Sequence, residues 1–226
     1  MSDNKTPFLT QDYDTKIEST IPHYSFFHDE TIDLIKTVNS RPKRWLDTGC
    51  GTGRLIEKAS KSFNNTRFVL ADPSEAMLTL AKERFSKDEF LNREYFQVTT
   101  QDIDCPQESF DVITAIQCHH YLDVSTRKRA TANCFRLLKE NGIFVTFENI
   151  KPNTEKGVQV GLQRWQQFQL AQGKSETEVN NHLKRFNVEY FPISAMSHIN
   201  LLYDVGFSVA EIVWVSTMQA GFYAIK

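Results

Sequence analysis

The chain has 226 residues, 26 lysines and arginines against 28 aspartates and glutamates, and a net charge of −2. That balance leaves no electrostatic footprint for nucleic acid or an anionic membrane surface, and 40% apolar with 24% charged residues is the composition of a soluble globular protein. No apolar run approaches the length that spans a bilayer, and the opening "MSDNKTPFLTQDYDTK" is too polar for a signal peptide. Cys50, Cys105, Cys118 and Cys134 form neither a C-x-x-C pair nor a zinc spacing, so four reduced thiols, no metal and a cytoplasmic setting are expected.

Residues 8–40 read as mainly helical and precede the first strand, 44–47. A helix over 53–63 follows, then a strand over 67–72 and a helix over 74–85 capped by Ser74, whose hydroxyl can accept from the first free amides. Strands are predicted at 95–100 and 110–116, and a helix at 125–142 stopped by Asn141-Gly142. After a strand at 143–149 the alternation breaks. Two helices fall within 151–190, a third over 195–205 stopped at Gly206, and strands over 207–215 and 218–226 close the chain. Strands separated by helices imply parallel βαβ crossovers, and a continuous apolar run such as "DVITAI" fits a strand buried on both faces. The expectation is one α/β domain over residues 1–226. It divides into a helical N-terminal segment (1–42), a core (43–150), a helical insertion after the fifth strand (151–205) and the C-terminal strands (206–226). Both helical additions are placed to cover the carboxyl ends of the strands, where open α/β sheets bind ligands.

The stretch "RWLDTGCGTGRL" joins the first strand to its helix. Its glycines are Gly49, Gly51 and Gly53; the third glycine of a G-x-G-x-x-G dinucleotide fingerprint would fall at Arg54. Asp47 stands where a pyrophosphate would feel its charge. The loop therefore suits a ligand that approaches the backbone closely and carries positive charge. S-adenosylmethionine has a sulfonium, an amino group and a carboxylate, and no phosphate. Gly49 and Gly51 admit its methionine part without a Cβ clash, the free amides at the helix start suit the carboxylate, and Asp47 suits the cationic end. In "ADPSEAM", Asp72 ends the second strand about twenty residues on, where a carboxylate can hold both ribose hydroxyls. In "QDID", Asp102 can accept from the adenine amino group and Ile103 can pack on the ring.

These residues resemble the class I S-adenosylmethionine-dependent methyltransferases, from about Lys43 to Asn149 and again over the last two strands. The resemblance implies a Rossmann-like, mostly parallel seven-stranded sheet of order 3-2-1-4-5-7-6 with the last strand antiparallel, S-adenosyl-L-methionine as cofactor and S-adenosylhomocysteine as product. A narrower likeness covers "IPHYSFFHDETIDLI", the helical pair around Trp165 to Phe186, and "HINLLYDVGF". There the chain is similar to the bacterial carboxy-S-adenosylmethionine synthases of tRNA wobble-uridine modification. That likeness implies that Tyr24 reaches the cofactor, that Gly49, Cys50 and Gly51 line its methionine part, that Asp72 and Pro73, with Met77 behind them, meet the ribose, and that Asp102 and Ile103 meet the adenine. Two positions depart from it. Leu201 stands where those synthases hold the extra carboxylate with an arginine, and Ile116 stands where they carry an asparagine. A carboxylate needs a charged or hydrogen-bonding partner, so the cofactor site carries over and a carboxylated cofactor does not.

Methyl transfer needs alignment in a closed site, and a general base only when the acceptor arrives protonated. "IQCHHYL" follows the fourth strand, so His119 and His120 are the candidate bases, with Glu148 at the end of the fifth strand as amine binder or base-orienting group. That stretch is not the "NPPY" of nucleobase N-methyltransferases. Trp165, Phe168, Phe186, Tyr190 and Phe191 read as mostly core, with one or two walling the acceptor pocket, and "RKR" at 127–129 reads as a solvated helix face. The expected function is methyl transfer to an O, N or S atom of a small molecule by a monomer or homodimer. The alternatives are a tRNA-modification enzyme of the carboxy-S-adenosylmethionine synthase type and a non-catalytic S-adenosylmethionine-binding protein.

Overall fold

The computed structural model describes residues 5–88 and 92–226. Helices α1 (Tyr13–Lys16) and α2 (Tyr24–Val38) precede β1 (Arg44–Thr48). Then come α3 (Arg54–Ser60), β2 (Arg67–Ala71), α4 (Glu75–Arg84), β3 (Arg93–Phe96) and β4 (Phe110–Ile116). Helix α5 (Val124–Leu137) leads into β5 (Leu138–Asn149), and the insertion holds α6 (Glu155–Ala171) and α7 (Glu176–Leu183). The chain closes with α8 (Ala195–Val205), β6 (Val209–Ser216) and β7 (Gln219–Ile225). The sheet order is β3-β2-β1-β4-β5-β7-β6, as the resemblance implied. The first five strands pair in parallel, and β7 runs antiparallel to both β5 and β6.

The two-residue period of the strands sorts the core into two layers. Leu46, Val69, Ile113 and Phe144 face one side, where α5 supplies Cys134 and Leu137 and α8 supplies Leu202. Trp45, Phe68, Val112 and Val145 face the other, under Phe27 and Ile35 of α2, Ile56 of α3 and Ala81 of α4. Both faces being covered explains why the central strands read as unbroken apolar runs. Among the described residues no helix is long and apolar enough to cross a membrane.

Two elements differ from their predicted bounds. Helix α5 ends at Leu137, ahead of the Asn141-Gly142 signal, because Leu138 already pairs with Phe110 in the sheet. Asn141, at φ 61°, instead makes a kink within β5, where its amide donates to the Lys226 carbonyl. The third strand stops at Phe96 rather than running to 100: β3 is an edge strand whose partner β2 ends at Ala71, so residues 97–100 have no ladder to join. Ser74 caps α4 as expected, accepting from the Met77 amide.

Gly221 on β7 lies against the ring of Phe147, which stacks on Phe27 at 4.8 Å between centroids. A Cβ at Gly221 would stand 2.4 Å from Phe147 Cε1, in the middle of a packed layer. Gly221→Ala is therefore expected to lower stability by about 1–3 kcal/mol. The midpoint of urea unfolding measures it, and an unchanged midpoint would show that the Phe147 ring yields freely.

Candidate active site

The loop after β1 is shaped by backbone that only glycine adopts easily. Gly49 and Gly51 have φ of 64° and 54°. A Cβ at Gly49 would meet Cys118 Cβ at 2.4 Å, so the loop can lie against the segment after β4 only without a side chain. At Gly51 a Cβ would meet nothing within 4 Å, because this glycine faces open space. Asp72 ties the loop to β2: its Oδ2 accepts from the Gly51 amide and its Oδ1 from the Ser74 amide, each at 2.9 Å. Gly53 caps α3, its position packed against Phe85, and does not line the space above.

That space is a cavity of about 950 Å³, mouth included, above the carboxyl ends of the parallel strands. Seven of the sequence-predicted residues line it: Gly49, Gly51, Asp72, Pro73, Met77, Ile116 and His119. Tyr13 roofs it from the N-terminal segment and was not singled out in the sequence; no periodicity marks a lone tyrosine in a four-residue helix. Tyr24, Asp47 and Cys50 line a smaller cavity behind the loop instead, with Arg54 beside them. Tyr13, Gly49, Gly51 and Ile116 are walls of both spaces, and the Tyr24 hydroxyl lies 3.5 Å from that of Tyr13.

Asp102 and Ile103 do not line the cavity but directly follow the residues that do. Asp102 is exposed and accepts from Thr99 and from Gln101, while Ile103 is 2% exposed and packs in the core layer under α5. The wall at that corner is made by Thr99, Thr100 and Gln101. The early end of β3 starts the loop sooner, and so turns residues 99–101 to the cavity in place of 102 and 103.

Asp47 is buried within a hydrogen-bonded chain. Trp45 Nε1 donates to Thr114 Oγ1 at 2.9 Å, and Thr114 Oγ1 donates to Asp47 Oδ1 at 2.7 Å. Burial pushes the Asp47 carboxyl up to about 7; the Thr114 bond opposes that rise and the nearby Asp72 charge adds to it.

Beyond β4 the chain makes a strained turn. Gln117 is held at φ 56°, with its amide donating to the Phe147 carbonyl and Nε2 donating to Gln219 Oε1 at 3.0 Å. A 3₁₀ turn over His119–Tyr121 follows. Glu148 sits beneath it, fully buried. Its carboxylate accepts from the His119 amide at 3.0 Å, the His120 amide at 2.9 Å, His120 Nδ1 at 2.6 Å and Thr146 Oγ1 at 2.9 Å. Burial alone would raise its pKa, but the hydrogen bond and charge of His120, then the charges of His119 and His198, pull it down to about 2. An ionised carboxylate only accepts, so the proton of the His120–Glu148 bond belongs to Nδ1.

The two histidines are therefore unlike. His119 stacks on Phe144 at 6.1 Å, its Nε2 is buried with no partner among the described residues, and burial lowers it to about 4. It lines the main cavity, while His120 lines a second one next to it. Glu148 lines neither cavity; its carboxylate is taken up by the 119–120 amides and the His120 ring.

The insertion meets the N-terminal segment directly: Trp165 Nε1 donates to the Thr20 carbonyl at 2.6 Å. Tyr190 is the one of the five flagged aromatics that walls the second cavity. Arg127 corrects the "RKR" reading, being 2% exposed, with Nε donating to the His119 carbonyl and Nη2 to those of Leu122 and Phe191. Leu201 lines a small closed pocket with Arg127 and His198.

Comparison with known proteins agrees with this geometry. Residues 46–144 match the family model of a methyltransferase domain. A carboxy-S-adenosyl-L-methionine synthase from Nautilia profundicola is 22% identical over 218 residues, 95% of this chain and 90% of its own length. A ubiquinone/menaquinone biosynthesis C-methyltransferase from Vibrio parahaemolyticus is 33% identical over 119 residues, 51% of this chain and 45% of its own. The structure of a SAM-dependent methyltransferase from Aquifex aeolicus superimposes with a TM-score of 0.63 at 19% identity, covering 95% of this chain and 98% of that one. The sheet order, the glycine loop tied down by Asp72 and the match over 46–144 make the chain similar to the class I S-adenosylmethionine-dependent methyltransferases, with a further likeness to the carboxy-S-adenosylmethionine synthases.

Proposed function

We propose that the protein transfers the methyl group of S-adenosylmethionine to a small-molecule acceptor bound under the cover of the N-terminal segment and the helical insertion. The observation that carries this reading is the cavity itself. It lies at the carboxyl edge of the sheet, Gly51 presents bare backbone to it, and Asp72 stands at its wall. A nucleoside with an amino-acid tail fits these residues. Gly49 and Gly51 admit the tail, Asp72 accepts from ribose hydroxyls, Met77 and Pro73 pack beside the nucleoside, and Thr99 to Gln101 border the base. Asp47 and Tyr24 act from behind the loop, where the ionised form of Asp47 favours a cationic amino group.

When bound, S-adenosylmethionine supplies a methyl carbon already activated by its sulfonium. The chain's own part is to align the acceptor and to exclude water. Tyr13 and Thr6 cover the cavity from above, and Asp14 fixes that cover by accepting from Thr52 Oγ1 at 2.7 Å and from Arg84. Ordinary S-adenosylmethionine is favoured over a carboxylated form because the Leu201 side chain offers no hydrogen bond or charge to an added carboxylate and Leu201 does not line the main cavity. The near-neutral charge and the enclosed cavity favour a small acceptor over a nucleic acid.

Titration calorimetry with S-adenosylhomocysteine is expected to show one site per chain, and Asp72→Ala is expected to weaken it by about 10- to 100-fold, the loss of charge-assisted hydrogen bonds. No heat from folded wild-type protein with either S-adenosyl compound would end this reading. The pH dependence follows from Asp47. Above about 7 its carboxylate is ionised and attracts the ligand's amino cation; below that it is neutral. Affinity for S-adenosylhomocysteine is thus expected to rise between pH 6 and 8, and Asp47→Asn to flatten that rise. A slope that survives in Asp47→Asn assigns the titration elsewhere.

A further inference from the structure

An S-adenosyl compound seated with its tail at Gly49 and Gly51, its ribose at Asp72 and its base at Thr99 to Gln101 leaves Ile116, Gln117, Tyr121 and Leu122 as walls on the methyl side of the main cavity. Gln117 stands apart from the other three. Its backbone is held at φ 56°, which suits glycine or asparagine better than a long side chain, so a glutamine there is explained by what its side chain does. The sheet orients that side chain. Nε2 donates to Gln219 Oε1 at 3.0 Å and to the Phe147 carbonyl at 3.3 Å. A carbonyl only accepts, so the atom of Gln117 beside Phe147 is the nitrogen, and Gln219, fully buried on β7, turns its oxygen to meet it. Oε1 is what remains. No donor among the described residues bonds it, and it is not one of the atoms sealed in without a partner, so it opens onto the space that Gln117 lines. The second cavity, which Gln117 also touches, has room for about one or two waters, so a larger guest meets Oε1 from the main cavity. The polar groups nearby are engaged: the Tyr13 hydroxyl lies 3.5 Å from that of Tyr24, Cys118 Sγ donates to the Thr48 carbonyl at 3.4 Å, and Tyr121 is bonded to Arg185.

We propose that Gln117 determines acceptor specificity: its carboxamide oxygen accepts a hydrogen bond from the atom that receives the methyl group, and that atom is the nitrogen of an amine. The inference deepens the reading above and rests on S-adenosylmethionine occupying the main cavity. A hydroxyl or thiol gives up its one hydrogen to become a strong nucleophile, and at the moment of transfer it has nothing to offer Oε1. An oxyanion or thiolate beside Oε1 also sets two electron-rich atoms together in a space closed to water, which selects against them. A neutral primary or secondary amine has both things the corner asks for, a lone pair for the methyl carbon and an N–H for the carboxamide.

In the step itself the amine's lone pair forms the new N–C bond to the methyl carbon. The bond from that carbon to sulfur breaks with its electrons staying on sulfur, which becomes a neutral thioether. The nitrogen is now a methylated ammonium that still carries the hydrogen held by Gln117, and it releases one proton to water as the product leaves. No side chain takes a proton during the transfer. Positive charge on the nitrogen makes its N–H a stronger donor, so the bond to Oε1 tightens as the reaction proceeds, and an interaction that grows toward the transition state raises the rate instead of binding alone. Gln219 acts through Gln117 and is a positioning residue: its oxygen keeps Nε2 turned to the sheet and Oε1 turned to the cavity.

The test compares two probes on the full chain by titration calorimetry. One is S-adenosylhomocysteine. The other is sinefungin, in which a carbon bearing an ammonium group replaces the sulfur, so that N–H donors stand on the methyl side. The readout is the ratio of the two dissociation constants within each variant, from which a general loss of cofactor affinity or of fold cancels. Gln117→Gly suits the backbone and removes the carboxamide. It is expected to shift the ratio against sinefungin by about tenfold, the loss of a charge-assisted hydrogen bond. Gln117→Asn also suits a positive φ, is one carbon too short for the bonds that orient the amide, and is expected to shift the ratio the same way; it carries the test if the glycine variant does not fold. Gln219→Leu, which frees the carboxamide to turn, is expected to give a smaller shift in the same direction. A ratio that stays within about twofold of the wild-type value in the Gln117 variants, or that moves in favour of sinefungin, overturns this inference alone. Failure of S-adenosylhomocysteine to bind the folded wild-type protein overturns the cofactor reading and this one with it.

Discussion

A carboxylate with no access to water has to be surrounded by donors, and Glu148 imposes that requirement on the centre of this molecule. Two of its donors are consecutive backbone amides, at His119 and His120, and a third is the ring of His120. Consecutive amides can converge on one carboxylate only from a tight turn, so the 3₁₀ geometry of residues 119–121 follows from the charge beneath it. The strained Gln117 just before the turn follows too, since the chain leaving β4 must bend sharply to bring those amides over β5. Removing one side of such a buried arrangement leaves an uncompensated charge, at a cost of about 3–5 kcal/mol. Strain at Gln117 is smaller than that, which is why it persists.

The cover over the cavities is held on different terms. Helix α1 buries none of its residues. The residues around it combine both kinds of hold: Ile17 and Ile21 are buried in the apolar layer that contains Trp45 and Phe68, with Phe8 and Tyr13 packed against it, while Asp14 pairs with Thr52 and Arg84, Thr20 with Trp165 and Lys174, and the Lys5 carbonyl with Arg185.

The cofactor side of the site was legible in the sequence. "LDTGCGTG" and Asp72 announce themselves because backbone geometry leaves few residues that work: glycine at φ 64° against Cys118, and a carboxylate that can reach both a loop amide and a helix-start amide. The strand order was legible only through the family resemblance, since local periodicity does not say which strand pairs with which. The end of β3 was misjudged because the end of an edge strand is set by its partner's length, a non-local fact. The stop signal at Asn141-Gly142 misled for a related reason, as sheet pairing captured residues that a lone helix would have kept. Arg127 shows the limit of composition: within a basic run it looks solvated, yet three carbonyls from 119, 122 and 191 converge on it.

The second cavity was legible only in part: His120 and Tyr190 stood out in the sequence, whereas Tyr13 and Arg185 did not. These residues come from three separate stretches of chain and meet through side chains rather than through a backbone motif. The family match reflects the same split: it covers 46–144, which holds the glycine loop, Asp72 and the histidine turn, and leaves out Tyr13, Glu148 and the insertion that carries Arg185 and Tyr190. The C-methyltransferase from Vibrio parahaemolyticus aligns over only 51% of this chain. A likeness confined to about half of the chain bears on how a cofactor is held and leaves open what it meets. The residues that close the site from above therefore lie mostly outside the stretch the family shares.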